Sequence, residues 1–533
     1  MTATATAMAG ERDLNFRIDV GDERYILKIQ HPAELDVISV QNLLLAHLSS
    51  DDAVVSPQLV PAIDGSEMVA LRDGRLVRLL TWIDGTVWSQ VPAISPELLL
   101  SLGQTVARMD SSLSRIELAD GQQSLARPFG WNVMQTANLL QSVDLVSDPE
   151  LRDIVARVLR ETVDEILPTL IDMPQQIIHN DANDNNILVD GGRVAALIDF
   201  GDVIAAPRIC GLAVAVAYAL DDEGDPLHWV TPVVTGYHHV APLTAEELQL
   251  LFPLVKARIA TSIVMAAIQH VASPTNDYLL ISQAKFATLL RELAASSSEL
   301  ALCRLRSACG YEPHPASREV RQFLMSGEAV IADVVMPPLA NVPKVWFDWS
   351  AAGVDSPKTP GEIETAMIAA GARLAIGNYC EDRDVYKGDA YQVSDSSRRT
   401  VHLGVDMFAP AGTPVYAALD GHVALFNDNN SYLDYGPVIV LRHETSGGTP
   451  FYTLYGHLSR PSLLPLHIGM KVSAGDQIAT MGEEFENVGW APHVHFQLLV
   501  SLVDMGIDVY GVAPLNDLPV WRSISPNPNL VLR

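Results

Sequence analysis

Residues 177–188 read Ile177-Ile178-His179-Asn180-Asp181-Ala182-Asn183-Asp184-Asn185-Asn186-Ile187-Leu188, and residues 194–202 read Val194-Ala195-Ala196-Leu197-Ile198-Asp199-Phe200-Gly201-Asp202. Apolar strands flank a polar loop, and the second stretch ends its apolar run in a carboxylate. Phosphoryl transfer needs such groups: a carboxylate to take the acceptor's hydroxyl proton, and an Asn with an Asp to hold Mg²⁺ on nucleotide phosphates. The spacing H-x-D-x₄-N, followed by Asp-Phe-Gly thirteen residues after Asn186, supplies all three. Asn and Asp also crowd ordinary β-turns for backbone reasons. A turn, however, requires neither this order nor this spacing.

Working outward, residues 16–29 (FRIDVGDERYILKI) predict two strands around a Gly21-Asp22 turn. A helix is expected over about 33–48, then strands over 68–71 and 76–82. From Pro96 the period becomes helical; Leu151, Ile154, Val155, Val158, Leu159 and Leu167 form one apolar stripe. Helices over about 244–272 and 277–296 close this region. Residues 310–345 are proline-rich and aperiodic, which reads as a linker. Beyond about 375, runs such as TPVYAAL, GPVIVL and FYTLY alternate with turn signals, predicting a mostly antiparallel β domain.

HNDANDNNIL with LIDFGD resembles the aminoglycoside phosphotransferase and choline kinase superfamily, whose fold is similar to that of the protein kinases. The resemblance covers about residues 10–310. It implies Asp181 as catalytic base, Asn186 and Asp199 as Mg²⁺ ligands, and Lys28 of YILKI as the lysine on the nucleotide phosphates. His179 would buttress the loop. Arg78-Leu79-Leu80 and Trp82–Gly85 resemble the hinge that carries adenine. Two departures stand out: Gly10-Glu11-Arg12-Asp13, where the nucleotide loop belongs, lies almost at the start, and Gln41 falls where a Glu partner for Lys28 is expected, with Glu34 nearby.

The second half holds His402-Leu403-Gly404-Val405-Asp406, Tyr455-Gly456-His457-Leu458 and His493-Val494-His495. Alternate residues of a strand share a face, so His402 would point with Asp406 and His493 with His495. A His/Asp/His set with an open fourth position is the arrangement of hydrolytic zinc. This set resembles the LytM and lysostaphin type of zinc endopeptidase over about residues 385–515. The resemblance implies His402, Asp406 and His495 as Zn²⁺ ligands, His457 and His493 as catalytic residues, and Trp490 at the entrance.

The expected architecture is therefore a multidomain α+β chain. A kinase-like two-lobe fold (10–310) is followed by a connecting segment (311–375), a mostly antiparallel β zinc-peptidase-like domain (376–520) and a tail (521–533). The order of domains resembles the front part of fusions with class III aminotransferase-like enzymes, and SPNPNLVLR then marks a junction to a pyridoxal-phosphate domain. The cofactors implied are ATP, Mg²⁺ and Zn²⁺; the partners are a small amino alcohol or hydroxy amino acid, a nucleotide and a peptide. The alternatives are a peptidase-like domain that only binds or scaffolds, or a non-catalytic adaptor.

A net charge of −29 argues against nucleic acid and anionic membrane, which attract clustered Lys and Arg. The apolar run Ile259–Ala272 is too short to span a bilayer. The four cysteines show no CxxC pairing and the first residues show no signal peptide, so a cytoplasmic location is expected.

Overall fold

The computed structural model describes residues 3–8, 13–117, 125, 127–221, 225–272, 283–336, 338–353, 355–386, 391–394, 397–431 and 434–532. Gly10–Arg12 of the expected nucleotide loop lie outside the described residues, as do residues 277–282 of an expected helix. The chain forms two compact units, Met1–Ser296 and Ser297–Arg533.

The first unit opens with an antiparallel sheet in the order Thr4–Met8, Leu14–Val20, Glu23–Gln30, Leu76–Thr81, Leu59–Val60. Gly21 makes the expected hairpin turn at φ +64°, a conformation that costs glycine little. Helix Leu35–Leu48 buries Ile38, Leu44, Leu45 and Leu48. Helix Pro96–Leu113 begins the helical lobe; Ser95 caps it and Pro96 occupies a first-turn position where no N–H is needed. Two short hairpin-like pairs lie in this lobe, Ile187–Asp190 with Arg193–Leu197 and Gln176–Ile178 with Ile204–Ala206. The apolar run at 259–272 proves to be the end of the 28-residue helix Ala245–Ala272, which is long and apolar enough to cross a membrane. In the fold, 72% of its most apolar window is buried inside the protein.

The second unit is built on an eight-stranded sheet. Its order is Lys344–Phe347, Leu374–Gly377, Val405–Phe408, His493–Leu499, Pro450–Gly456, Gly436–Glu444, Gly421–Asn429, Lys471–Val472. All neighbours are antiparallel except the first pair, which is parallel.

Three boundaries differ from the sequence expectation. Residues 297–310 pack with the second unit, in which Leu300 and Cys303 join an apolar cluster with Trp521 and Ile524. The expected linker 311–375 is structured: helix Ser317–Ser326 buries Val320 and Leu324, and Lys344–Phe347 is the outer sheet strand. Its prolines mark ends of elements, as Pro360 does behind the Thr359 capping box. The expected tail is also part of the fold, with Trp521, Ile524 and Val531 buried.

Candidate functional sites

Residues 179–186 connect strands Gln176–Ile178 and Ile187–Asp190, so both ends of the polar loop are held by buried apolar residues. Asn180 takes a left-handed φ of 61° and its amide donates to the Asp202 carbonyl at 3.2 Å. The Asp181 carboxylate accepts from Asn183 Nδ2 at 2.9 Å and from Asn186 Nδ2 at 2.6 Å. Burial and then the neighbouring Asp202 hold the Asp181 carboxyl well above its ordinary range, against the pull of Arg258. Such a shift raises its proton affinity, which suits a base. His179 sits edge-on to Phe200 at 4.8 Å and its Nδ1 accepts from the Asp181 N–H at 3.3 Å. Burial lowers its imidazole to about 4, so it is a neutral brace.

Asp199 follows strand Arg193–Leu197 and adopts a φ of 62°, a strained conformation for a residue other than glycine. Its carboxylate accepts from Gly201 N at 3.1 Å and from Lys28 Nζ at 2.9 Å. Burial would raise the Asp199 carboxyl, but Lys28 outweighs it and the group stays below its ordinary value. An ionised oxygen donor beside an ammonium fits a Mg²⁺-nucleotide site. The structure thus pairs Lys28 with Asp199, and Asp181 with Asn186.

The helix partner of Lys28 is corrected. Lys28 Nζ lies 3.5 Å from Asp13 Oδ2, whereas Gln41 accepts from Arg78. Arg78 also donates to Gln30 Oε1 and Asn42 Oδ1, each at 2.8 Å. Arg78–Leu80 therefore belong to the strand Leu76–Thr81, and the guanidinium is buried between sheet and helix, which lowers its pKa to about 10. Only Trp82–Gly85 follow the strand as a hinge would. Arg258 is the residue the sequence reading missed. Little in the sequence singled it out, since the run Leu254–Met265 holds two cations, Lys256 and Arg258.

In the second unit, Asp406 stands directly opposite His495 in the register of strands Val405–Phe408 and His493–Leu499. His493 and His495 share a face by strand alternation, as expected. His402 and Asp406 do not: His402 ends strand Ser397–His402, which pairs with Val512–Pro514 in another sheet. The break at Leu403-Gly404 swings His402 onto the site. Gly404 is required there, since a Cβ would lie 2.4 Å from the His495 ring.

His402 Nε2 lies 2.9 Å from His495 Nδ1, and these atoms are 3.1 and 3.0 Å from Asp406 Oδ1. The opposite ring nitrogens are committed: His402 Nδ1 donates to Asn378 O at 2.9 Å, and His495 Nε2 donates to Gln497 Oε1 at 3.1 Å. Gln497 Nε2 itself donates to Tyr510 O at 3.0 Å, which settles its orientation. Burial lowers His402 to about 4, so its inward nitrogen is a bare lone pair. Two imidazole nitrogens and a carboxylate oxygen converge within 3.1 Å of one another, and a cation such as Zn²⁺ fits that donor set.

Arg383 Nη1 binds Asp406 Oδ2 at 2.7 Å and Arg383 Nε binds Glu381 Oε2 at 2.7 Å. Burial would raise the Asp406 carboxyl, but His402 and Arg383 hold it well below the usual range. His457 and His493 stack with centroids 4.1 Å apart, and burial lowers both, His493 to about 4. His457 Nδ1 is buried without a partner. A cavity of about 370 Å³ opens over these residues, walled by Tyr386, Tyr391, Trp490 and Tyr510. Gln497 could have been found from alternation with His493 and His495; Arg383, Glu381 and Asn378 come from a distant segment and carried no such signal.

Comparison with known proteins agrees with this division. The phosphotransferase enzyme family matches residues 5–248, and peptidase family M23 matches residues 400–505. Hydroxylysine kinase of Xenopus laevis is 34% identical over 220 residues, covering 39% of this chain and 59% of that protein. The mouse hydroxylysine kinase is 28% identical over 297 residues, covering 51% of this chain and 79% of that protein. Peptidoglycan DD-endopeptidase ShyA of Vibrio cholerae is 35% identical over 105 residues, covering 20% of this chain and 22% of that protein. This chain thus spans about three fifths of the Xenopus relative and under a quarter of the Vibrio one. The kinase-like fold, the buried His/Asp/His cluster and these matches lead to one conclusion: the chain carries a phosphotransferase-family domain followed by an M23 peptidase-family domain.

Proposed function

We propose that the first unit transfers the γ-phosphoryl group of ATP to the hydroxyl of a small hydroxylated amine or amino acid. The observation that carries this reading is the meeting of Lys28 with Asp199 beside the Asp181–Asn186 pair. Asp181 takes the hydroxyl proton as the acceptor oxygen attacks phosphorus, and ADP leaves with the bridging oxygen. Lys28 neutralises phosphate charge. Mg²⁺ would be held by Asn186 and Asp199 and would screen the charge on the phosphates. Relatives that match this unit include hydroxylysine kinases and homoserine kinases, which supports a hydroxylated amino compound as acceptor. Measuring ADP release with a panel of hydroxylated amines and hydroxy amino acids tests it. Asp181→Ala should lower turnover by about 10²–10⁴-fold, the usual contribution of a positioned base. Equal ADP release by the variant and the parent would remove Asp181 from the reaction.

The second unit is read as a zinc hydrolase of peptide bonds, with His402, Asp406 and His495 as ligands. Zn²⁺ bound there would supply Lewis acidity and an activated water. His457 and His493, neutral at pH 7, would accept or donate protons at their free nitrogens beside it, and the aromatic walls would exclude bulk water. The four cysteines are unpaired thiols, which supports a reducing, cytoplasmic setting. A phosphate ester made by the first unit carries a good leaving group, so a pyridoxal-phosphate elimination would consume it.

A further inference from the structure

We propose that Arg258 reads the carboxylate of the phosphate acceptor, so that the acceptor is a hydroxy amino acid and not the amino alcohol lacking its carboxylate. This rests on the phosphotransferase reading of the same site and narrows it.

Arg258 lies on helix Ala245–Ala272 in a run of apolar residues and is 6% exposed. A buried guanidinium is costly unless its charge and its five N–H donors are met. Here they are only partly met. Nη1 donates to Trp131 O at a long 3.3 Å. Nη2 stands 3.5 Å from Asp181 Oδ1. Nε is buried with no hydrogen-bond partner. Nε and Nη2 form one edge of the guanidinium, the edge that grips a carboxylate through two parallel hydrogen bonds. The guanidinium carbon lies 4.7 Å from the centroid of the Trp131 ring and 5.5 Å from that of Tyr218, so two aromatic rings restrain the head group before a ligand arrives.

A purely structural partner for Asp181 would be expected to bond it closely. Asp181 instead has its near hydrogen bonds from Asn183 and Asn186, both on its own loop. Arg258 is left beside the base with donors to spare. A hydroxyl presented to Asp181 places the rest of a short acceptor within reach of this edge. Asp202 adds negative charge near Asp181, which suits the ammonium end of a zwitterion. Arg258 is thus a binding and specificity residue, and the acceptor's amine and carboxylate are recognised at opposite charges.

The test compares matched pairs of acceptors: homoserine with 3-aminopropan-1-ol, and 5-hydroxylysine with 1,5-diaminopentan-2-ol. The full chain should prefer the amino acid of at least one pair by about 10-fold or more in kcat/KM. Arg258→Gln should remove that preference, bringing the ratio to about 1, mainly through KM for the amino acid, as loss of a charged bidentate pair does. Arg258→Lys, which keeps the charge without the fork, should fall between the two and serves if the Gln variant does not fold. Equal loss on both members of a pair, leaving the ratio unchanged, would overturn the inference in favour of a structural role. So would a parent enzyme that phosphorylates the amino alcohols as well as the amino acids. If ADP release is seen with no acceptor of either kind, the phosphotransferase reading itself fails.

Discussion

Arg383 grips the outer oxygen of Asp406 at 2.7 Å, leaving the inner oxygen alone to face His402 and His495. The carboxylate is thereby turned into a single-oxygen donor of fixed direction. Arg383 is held in turn by Glu381, Tyr386 Oη and the Asn378 carbonyl. Groups that orient metal ligands are typically worth about 10–100-fold in metal affinity. Arg383→Lys keeps the charge but loses the fork, and should weaken zinc binding by about that factor. Competition with a chromogenic chelator measures it; unchanged affinity would mean that Asp406 needs no brace.

The ligand set predicts opposite behaviour for two nearby histidines. His495→Ala should leave less than stoichiometric zinc in protein supplied with the metal. His457→Ala should keep one zinc per chain and lose peptide hydrolysis, because His457 stacks on His493 and supplies none of the three converging donors. Elemental analysis of both variants decides between them. Zinc retained by the His495 variant would exclude that residue as a ligand.

Asp199→Asn should weaken Mg²⁺-nucleotide binding more than it weakens the fold. The substitution removes the anion that pairs Lys28, but Asp13 remains 3.5 Å from the ammonium. Titration calorimetry with a non-hydrolysable nucleotide, with and without Mg²⁺, should show the loss chiefly in the Mg²⁺ arm. Equal affinity in both arms for parent and variant would make Asp199 a turn residue only.

Asp110 gives the first unit a pH dependence unrelated to catalysis. It lies in helix Pro96–Leu113, fully buried, and accepts from Tyr237 Oη at 2.8 Å. Burial raises its carboxyl from 3.8 to about 7. A folded-state pKa above the unfolded one means that the folded state binds the proton more tightly. The stabilisation is full below about 3.8 and is lost as pH rises through about 7. Thermal unfolding at pH 5 and pH 8 should show this loss, and Asp110→Asn, which keeps an acceptor for Tyr237, should flatten it. A pH slope that is the same in the variant would assign the effect elsewhere.

Much of both sites was legible because the deciding groups are close in sequence. His179 to Asn186 is one loop between two apolar strands, and Asp199 ends the next apolar run, so spacing alone carries their chemistry. His493 and His495 share a face because the strand period is two. The apolar stripes and the Gly21 turn likewise mark their own elements. These are local signals, set by backbone geometry and side-chain period.

What the tertiary structure decided are the partnerships between distant segments. Lys28 meets Asp199 and Asp13, not helix residue Gln41, because Arg78 stands opposite Lys28 in the sheet and takes Gln41 and Asn42 for itself. His402 reaches the His495–Asp406 pair through a strand break at Gly404, where only a residue without Cβ lets the His495 ring in. Arg258 is a buried cation whose neighbours Trp131 and Asp181 lie far off in sequence, and no periodicity marks such a pairing. Residues 310–345 are proline-rich and aperiodic as a whole, but Val320, Phe323 and Leu324 stand at helical spacing and pack on the core, and Lys344–Phe347 joins the edge of the sheet. A short segment contributes few hydrogen bonds of its own, so packing against the rest of the chain determines its structure.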